Sequence, residues 1–255
     1  MSLDEEREDN EIELVIFNEE FLQLEKKHEQ ISTSIEELIK NYSLSKKNKE
    51  KTKIMDQLGE FISYPEVKDF LKDTAREDSY DLCRAKAVSY FSELTSDEEI
   101  KGLLIQKLDD SSPKVRLWAV WSLRGEIHDE IVQSEFIRRL KYIEKAKTVR
   151  LWIIRSLGDV IENENIQYVF LHLLKQKPDT ETRKLLLYYL LQKLNNRDIC
   201  YYISSYVTLE VNKNIRKEIV KKMIEVDNED IKYALNKLAK IEKDKEIIDL
   251  ISSKL

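Results

Sequence analysis

Apolar residues along this chain gather into short segments that recur, and each segment is opened by an arginine. Arg84, Arg116, Arg150, Arg183 and Arg216 stand 32, 34, 33 and 33 residues apart. They lead the stretches C-R-A-K-A-V-S-Y-F, V-R-L-W-A-V-W-S-L, V-R-L-W-I-I-R-S-L, T-R-K-L-L-L-Y-Y-L and I-R-K-E-I-V-K-K-M. Counted from the arginine, positions −1, +3, +4, +7 and +11 are apolar. These are Val115, Ala119, Val120, Leu123 and Ile127 in one segment, and Val149, Ile153, Ile154, Leu157 and Ile161 in the next. At about 100° per residue they share one side of a helix, the candidate core face. One period before Arg84 the chain reaches Lys51, which opens K-T-K-I-M-D-Q-L-G.

A second set of helical segments lies between the first, near Tyr64–Arg76, Asp97–Leu108, Asp129–Ile143, Asn163–Lys175, Asn196–Leu209 and Glu229–Ile241, and Lys245–Leu255 closes the arginine-led layer. Asp97, Asp129 and Asn163 suit helix N-caps, and Pro65 and Pro113 suit first helical positions. Gly59, Gly125 and Gly158 fall where arginine-layer helices end, which suggests C-terminal caps. A helical pattern with a period in the low thirties predicts a stack of helix pairs. Near the amino terminus Leu14, Phe17, Phe21, Leu24, His28, Ile31, Ile35, Leu38 and Tyr42 recur at heptad steps, which allows one long helix. Ser32-Thr33-Ser34 followed by Glu36 and Glu37 resembles a capping box, and we expect a second helix to start at Ile35. The expected division is an acidic tail and capping helix over residues 1–33 and a repeat solenoid over 34–255.

Asp110, Val115 and Arg116 carry the aspartate, valine and basic residue at the spacing of HEAT repeats, and Thr148–Gly158 repeats the pattern. The chain resembles that family over roughly residues 34–255, including its short bilin-lyase-like branch. The resemblance implies an all-α fold, an α-α superhelix of about seven helix pairs curving to the right. It also implies that the arginine-led layer lines the concave face.

Hydrophobic residues make up 42% and charged residues 36% of the chain, which suits a thin helical stack rather than disorder. Four glycines and three prolines leave little room for hairpins. No stretch reaches eighteen uncharged apolar residues, so no membrane partner is expected. The acidic start does not fit a secretory signal, and a cytoplasmic protein is expected. Cys83 and Cys200 are far apart and are expected to be reduced packing residues. Net charge is −6, but residues 1–40 hold 13 acids and 4 bases, whereas Lys114–Arg155 hold 10 bases and 5 acids. An acidic head and a basic waist can steer a partner.

One arginine per repeat, following an acid in the preceding turn, is what bonding between repeats requires, so the arginine ladder is expected to be structural. A binding site is sought instead on the side opposite the core, at positions +2, +5 and +9. Those places hold Trp118, Trp121 and Gly125, then Trp152, Arg155 and Asp159, then Leu185, Tyr188 and Gln192. All three tryptophans fall there. Exposed aromatics beside arginine make a binding hot spot, so the candidate contacts are Trp118, Trp121, Trp152, Arg155, Tyr188, Leu185 and Asp159. His28, His128 and His172 are dispersed, and no C-x-x-C, phosphate loop or G-x-S-x-G is present, so neither metal nor cofactor is expected. Asp159 beside Trp152 and Arg155 is the one acid placed for acid–base work.

The favoured function is a non-catalytic adaptor, a monomer, that holds a protein or peptide. The alternative is nucleic-acid binding on the basic waist, similar to HEAT-like alkylpurine DNA glycosylases, which use a concave face bearing aromatics and an aspartate. Overall acidity counts against it. A chromophore handler similar to the bilin lyases shares only the repeat length.

Overall fold

The computed structural model describes residue 23 and residues 26–253, and over these the protein is helix and connecting loop without a strand. Helix α1 runs through residues 26–44. It is followed by α2 (Asn48–Gly59), α3 (Pro65–Glu77), α4 (Asp81–Tyr90), α5 (Glu98–Lys107) and α6 (Pro113–Leu123). Then come α7 (Glu130–Arg138), α8 (Lys147–Gly158), α9 (Glu164–Lys175) and α10 (Thr180–Leu190). The chain ends with α11 (Arg197–Tyr206), α12 (Lys213–Ile224), α13 (Glu229–Ala239) and α14 (Lys245–Ser252). Odd and even helices pair off as expected, seven pairs in all among the described residues. Two compact units divide the chain, residues 1–122 and 123–255.

Local chemistry sets the helix starts. Asp97, Asp129, Asn163, Asn196 and Asn228 each accept backbone N–H bonds at the head of α5, α7, α9, α11 and α13. Such a cap contributes about 1 kcal/mol. Pro65 and Pro113 are the first residues of α3 and α6. The start expected at Ile35 is absent: residues 32–34 lie inside α1, and the Thr33 hydroxyl donates back to the Glu29 carbonyl at 2.9 Å. The threonine hydroxyl therefore bonds back within the helix instead of opening a new one. The heptad positions before His28 lie outside the described residues.

The core follows the predicted face. Val115, Ala119, Val120 and Leu123 are buried, as are Val149, Ile153, Ile154 and Leu157. Cys83 fills the −1 place in its repeat, where burial raises its thiol pKa, and Cys200 is likewise a free, buried thiol.

The arginines tie repeat to repeat. Arg84 donates to both carboxylate oxygens of Asp110, at 2.9 and 2.7 Å, and to the Asp78 carbonyl at 2.8 Å. Arg183 grips Glu210 at 3.0 and 3.2 Å and the Pro178 carbonyl, and Arg216 grips Glu242 at 2.7 and 3.0 Å and the Glu210 carbonyl. Lys51 takes the same part toward Asp78 at 3.1 Å. Burial pushes the Asp110 and Glu210 carboxyls up, but their hydrogen bonds outweigh it: Arg84 and the Ser112 N–H hold Asp110 low, and Tyr206, the Asn212 N–H and Arg183 hold Glu210 low. For Glu242 the Arg216 guanidinium is the main cause of its lowered pKa. Arg150 differs: it bonds the Leu140 and Glu144 carbonyls and pairs with no carboxylate among the described residues.

The glycines act differently from expectation. No described glycine has a positive φ, so none is a left-handed cap. Gly59 and Gly158 end α2 and α8, and the ring of a tyrosine one repeat on lies against each. A Cβ would stand 2.4 Å from the Tyr90 ring or 2.2 Å from the Tyr189 ring.

Candidate binding face

Helix α6 opens at Pro113, and its apolar −1, +3 and +4 positions take the core. That rotation turns Trp118 and Trp121 outward, 39% and 42% exposed. The two rings, one turn apart, meet edge to face with centroids 5.5 Å apart, a favourable arrangement for aromatic pairs.

In the second unit the same rotation governs α8 and α10. Trp152 is half-buried, and the Arg155 guanidinium lies 5.4 Å from its ring centroid, within cation–π range. Tyr188 is 62% exposed and leans edge-on against Tyr189 at 5.0 Å; Leu185 is half-buried. Burial, then the charge of Asp159, raises the Tyr189 phenol pKa. Asp159 caps α8 and is bonded through one oxygen to Arg124, at 2.7 and 3.0 Å. The structure thus brings Trp118 together with Trp121, and Trp152 with Arg155. Tyr188 and Leu185 sit one helix further along the second unit, and Asp159 is tied to Arg124.

Sequence reasoning missed a groove between α10 and α12, with a volume of about 700 Å³. Its floor is Leu187, Leu191, Ile215 and Ile219, and Tyr188, Lys184 and Lys222 stand at its rim. Lysine–apolar alternation on α10 and α12 hinted at it. The depth depends on how far the two helices splay, which no local pattern encodes. A second missed feature lies on the odd-numbered helices. Tyr168, Tyr201 and Tyr233 occupy the fifth place after the caps Asn163, Asn196 and Asn228, and all three are exposed. Tyr168 and Tyr201 border a cleft between α9 and α11 that is largely polar, with Glu164, Gln167, Asn196 and Asp198 in its walls. No group of acids, histidines and cysteines among the described residues could hold a metal ion, and no described helix is long and apolar enough to cross a membrane.

No family model and no curated protein matches the chain. Solved structures do. An engineered protein aligns with 86% of this chain at 13% identity and a TM-score of 0.48, and the chain spans 66% of its length. An archaeal HEAT-like repeats protein from Thermococcus onnurineus NA1 aligns at 17% identity over 86% of this chain and 97% of its own, with a TM-score of 0.47. The CpcE–CpcF complex of phycocyanin lyase from Nostoc sp. PCC7120 aligns at 15% identity over 87% and 94%, with a TM-score of 0.45. At these values the likenesses bear on neither activity nor partner. The chain's own helix pairs, with a period near 33 residues and ladder bonds from one pair to the next, give it a fold of the HEAT-like kind.

Proposed function

We propose that the protein is a non-catalytic scaffold that holds a peptide or protein segment on the outward side of its even-numbered helices. In the second unit the contacts are Trp152, Arg155, Leu185 and Tyr188, continuing into the groove between α10 and α12. In the first unit Trp118 and Trp121 offer a contact of the same kind. Asp159, bonded to Arg124, borders the face as a fixed charge. The observation that carries the reading is the apolar-floored groove of about 700 Å³ with an exposed tyrosine on its rim. Such a floor with aromatic and basic rims provides apolar burial and orientation together. The cleft between α9 and α11 is smaller and more polar, with Leu171 and Ile199 as its buried aliphatic residues, and is less suited.

Selection of peptides from a random display library against the protein tests this. Selected peptides should lose at least about 30-fold in affinity to Tyr188→Ala or Arg155→Glu, the scale of a hot-spot contact of about 2 kcal/mol. Melting temperatures of both variants should stay near that of the parent. Peptides that bind both variants as tightly as the parent would refute the assignment.

A further inference from the structure

In the second unit, the loops that carry the chain from an odd helix to the next even helix share one edge. Lys147, the first residue of α8, pairs with Asp179 and Glu181 at 3.0 and 2.8 Å. Arg183 joins the Pro178 carbonyl to Glu210, Arg216 joins the Glu210 and Val211 carbonyls to Glu242, and Lys213 reaches Asp244 at 3.0 Å. These bonds stack the four loops side by side.

The same bonds occupy the acids of that edge. Asp179, Glu181, Glu210, Glu242 and Asp244 are all paired, and Glu144 is buried. Lys145, Lys177, Lys240 and Lys243 are exposed and pair with no carboxylate among the described residues. The ladder that holds the repeats together therefore leaves the edge positive. Apolar side chains stand among these lysines: Val211 is 87% and Leu209 76% exposed, and Tyr142 and Ile241 are exposed too.

Leaving Leu209, Val211 and Ile241 in water forfeits the gain that burial would bring. Apolar tips within a field of lysines complement a surface that is anionic outside and apolar beneath. We propose that this loop edge docks on an anionic lipid bilayer, with Tyr142, Leu209, Val211 and Ile241 entering the headgroup layer and Lys145, Lys177, Lys240 and Lys243 facing lipid phosphates. A bilayer needs no groove, only apolar tips that stand clear of the protein, and these do. No spanning helix is required for such edge-on contact.

Sedimentation of the full chain with phosphatidylcholine–phosphatidylserine vesicles, against phosphatidylcholine alone, tests the proposal. The protein should pellet with the mixed vesicles only, and less so as salt rises. Lys240→Glu with Lys243→Glu should weaken partitioning at least about 30-fold, at roughly five-fold for each lysine neutralised. Leu209→Ser with Val211→Ser should remove the part of binding that survives salt. All four side chains are exposed, so melting curves should not move, and Tyr188→Ala should bind vesicles like the parent. The proposal is overturned by failure to pellet with phosphatidylserine at low salt, or by variants that pellet as the parent does. Capture of polyglutamate in solution without vesicle binding would overturn it too, in favour of an acidic polypeptide.

Discussion

Replacing Arg84 by methionine keeps the length of the side chain and removes its charge. The variant loses two short bonds to Asp110 and one to the Asp78 carbonyl. Both members of the pair are nearly buried, at 12% and 6% side-chain exposure, so solvent cannot replace the guanidinium. Removing one member of a buried ion pair costs about 3–5 kcal/mol. Asp110 keeps the Ser112 N–H at 2.9 Å and Lys107 at 3.7 Å, which argues for the lower end, about 3 kcal/mol. Arg150→Met is the internal control. It leaves no carboxylate stranded and forgoes only two carbonyl bonds, so it should cost about 1–2 kcal/mol. Urea denaturation followed by circular dichroism measures both, with the slope checked for constancy. In Arg84→Met/Asp110→Leu the stranded charge is gone, and the double variant should recover at least about 1 kcal/mol relative to the sum of the singles. The pH dependence has a definite sign. Asp110 titrates lower in the folded protein, so the pair stabilises above the unfolded value of about 4 and its contribution fades as pH falls through the folded value. Removing Arg84 takes away the largest influence that holds the carboxyl low, so it titrates higher than in the parent and the deficit of Arg84→Met should shrink as pH falls from 7 to about 3. Equal costs for Arg84→Met and Arg150→Met, or strictly additive singles, would refute the ladder as the bond between repeats.

Gly102→Ala should raise the melting temperature, since the mid-helix site is open on all sides and alanine is favoured by about 0.5–1 kcal/mol. Gly158→Ala should lower it, because the new methyl collides with the Tyr189 ring and overpacking costs about 1–3 kcal/mol. Trp118→Ala should cost only about 1–2 kcal/mol because the ring is partly solvated, and Trp152→Ala should cost more. Acrylamide should quench Trp118 and Trp121 more strongly than Trp152 when each is kept as the sole tryptophan. Lys177→Gly should stabilise by about 1 kcal/mol, because Lys177 holds a φ of 52° that glycine adopts without strain; a fall in melting temperature would count against that reading.

What the sequence disclosed is whatever repeats with the helix. Val149, Ile153, Ile154 and Leu157 recur because one face must leave water, and the arginine recurs because one place in each pair meets the next loop. The carboxylate partners were harder to identify. Asn212, four residues before Arg216, caps α12, and the carboxylate that anchors Arg183 is Glu210. The workable signal lies six residues before each arginine, where Asp78, Asp110, Glu144 and Glu210 precede Arg84, Arg116, Arg150 and Arg216, and Lys177 precedes Arg183. The outward tryptophans were legible from the same rotation that buries the core. The groove between α10 and α12 and the lysine-rich edge were not. One depends on the separation of two helices, and the other on which acids the ladder occupies. Both are properties of contacts between repeats, not of any single segment.

That ladder has gaps, and the glycines explain how they are closed. The joints held by Arg84–Asp110, Arg183–Glu210 and Arg216–Glu242 have Ser92, Leu191 and Ile224 eight residues after the arginine, where the joints led by Lys51 and Arg150 have glycine. The joint led by Lys51 has a single-point ion pair, and Arg150 itself meets no carboxylate among the described residues. Gly59 and Gly158 belong to those two joints, and Tyr90 and Tyr189 settle onto them from the next even-numbered helix. The Tyr189 hydroxyl also donates to the Arg155 carbonyl at 3.3 Å. Lys147, which bridges to Asp179 and Glu181 nearby, is exposed, and a screened surface pair contributes little. Burying a tyrosine ring against backbone is worth more than that and does not vary with salt. Where the guanidinium–carboxylate rung is weak or missing, packing between a ring and a residue without a side chain does the joining. This accounts for glycine at those two helix ends without any need for a positive φ.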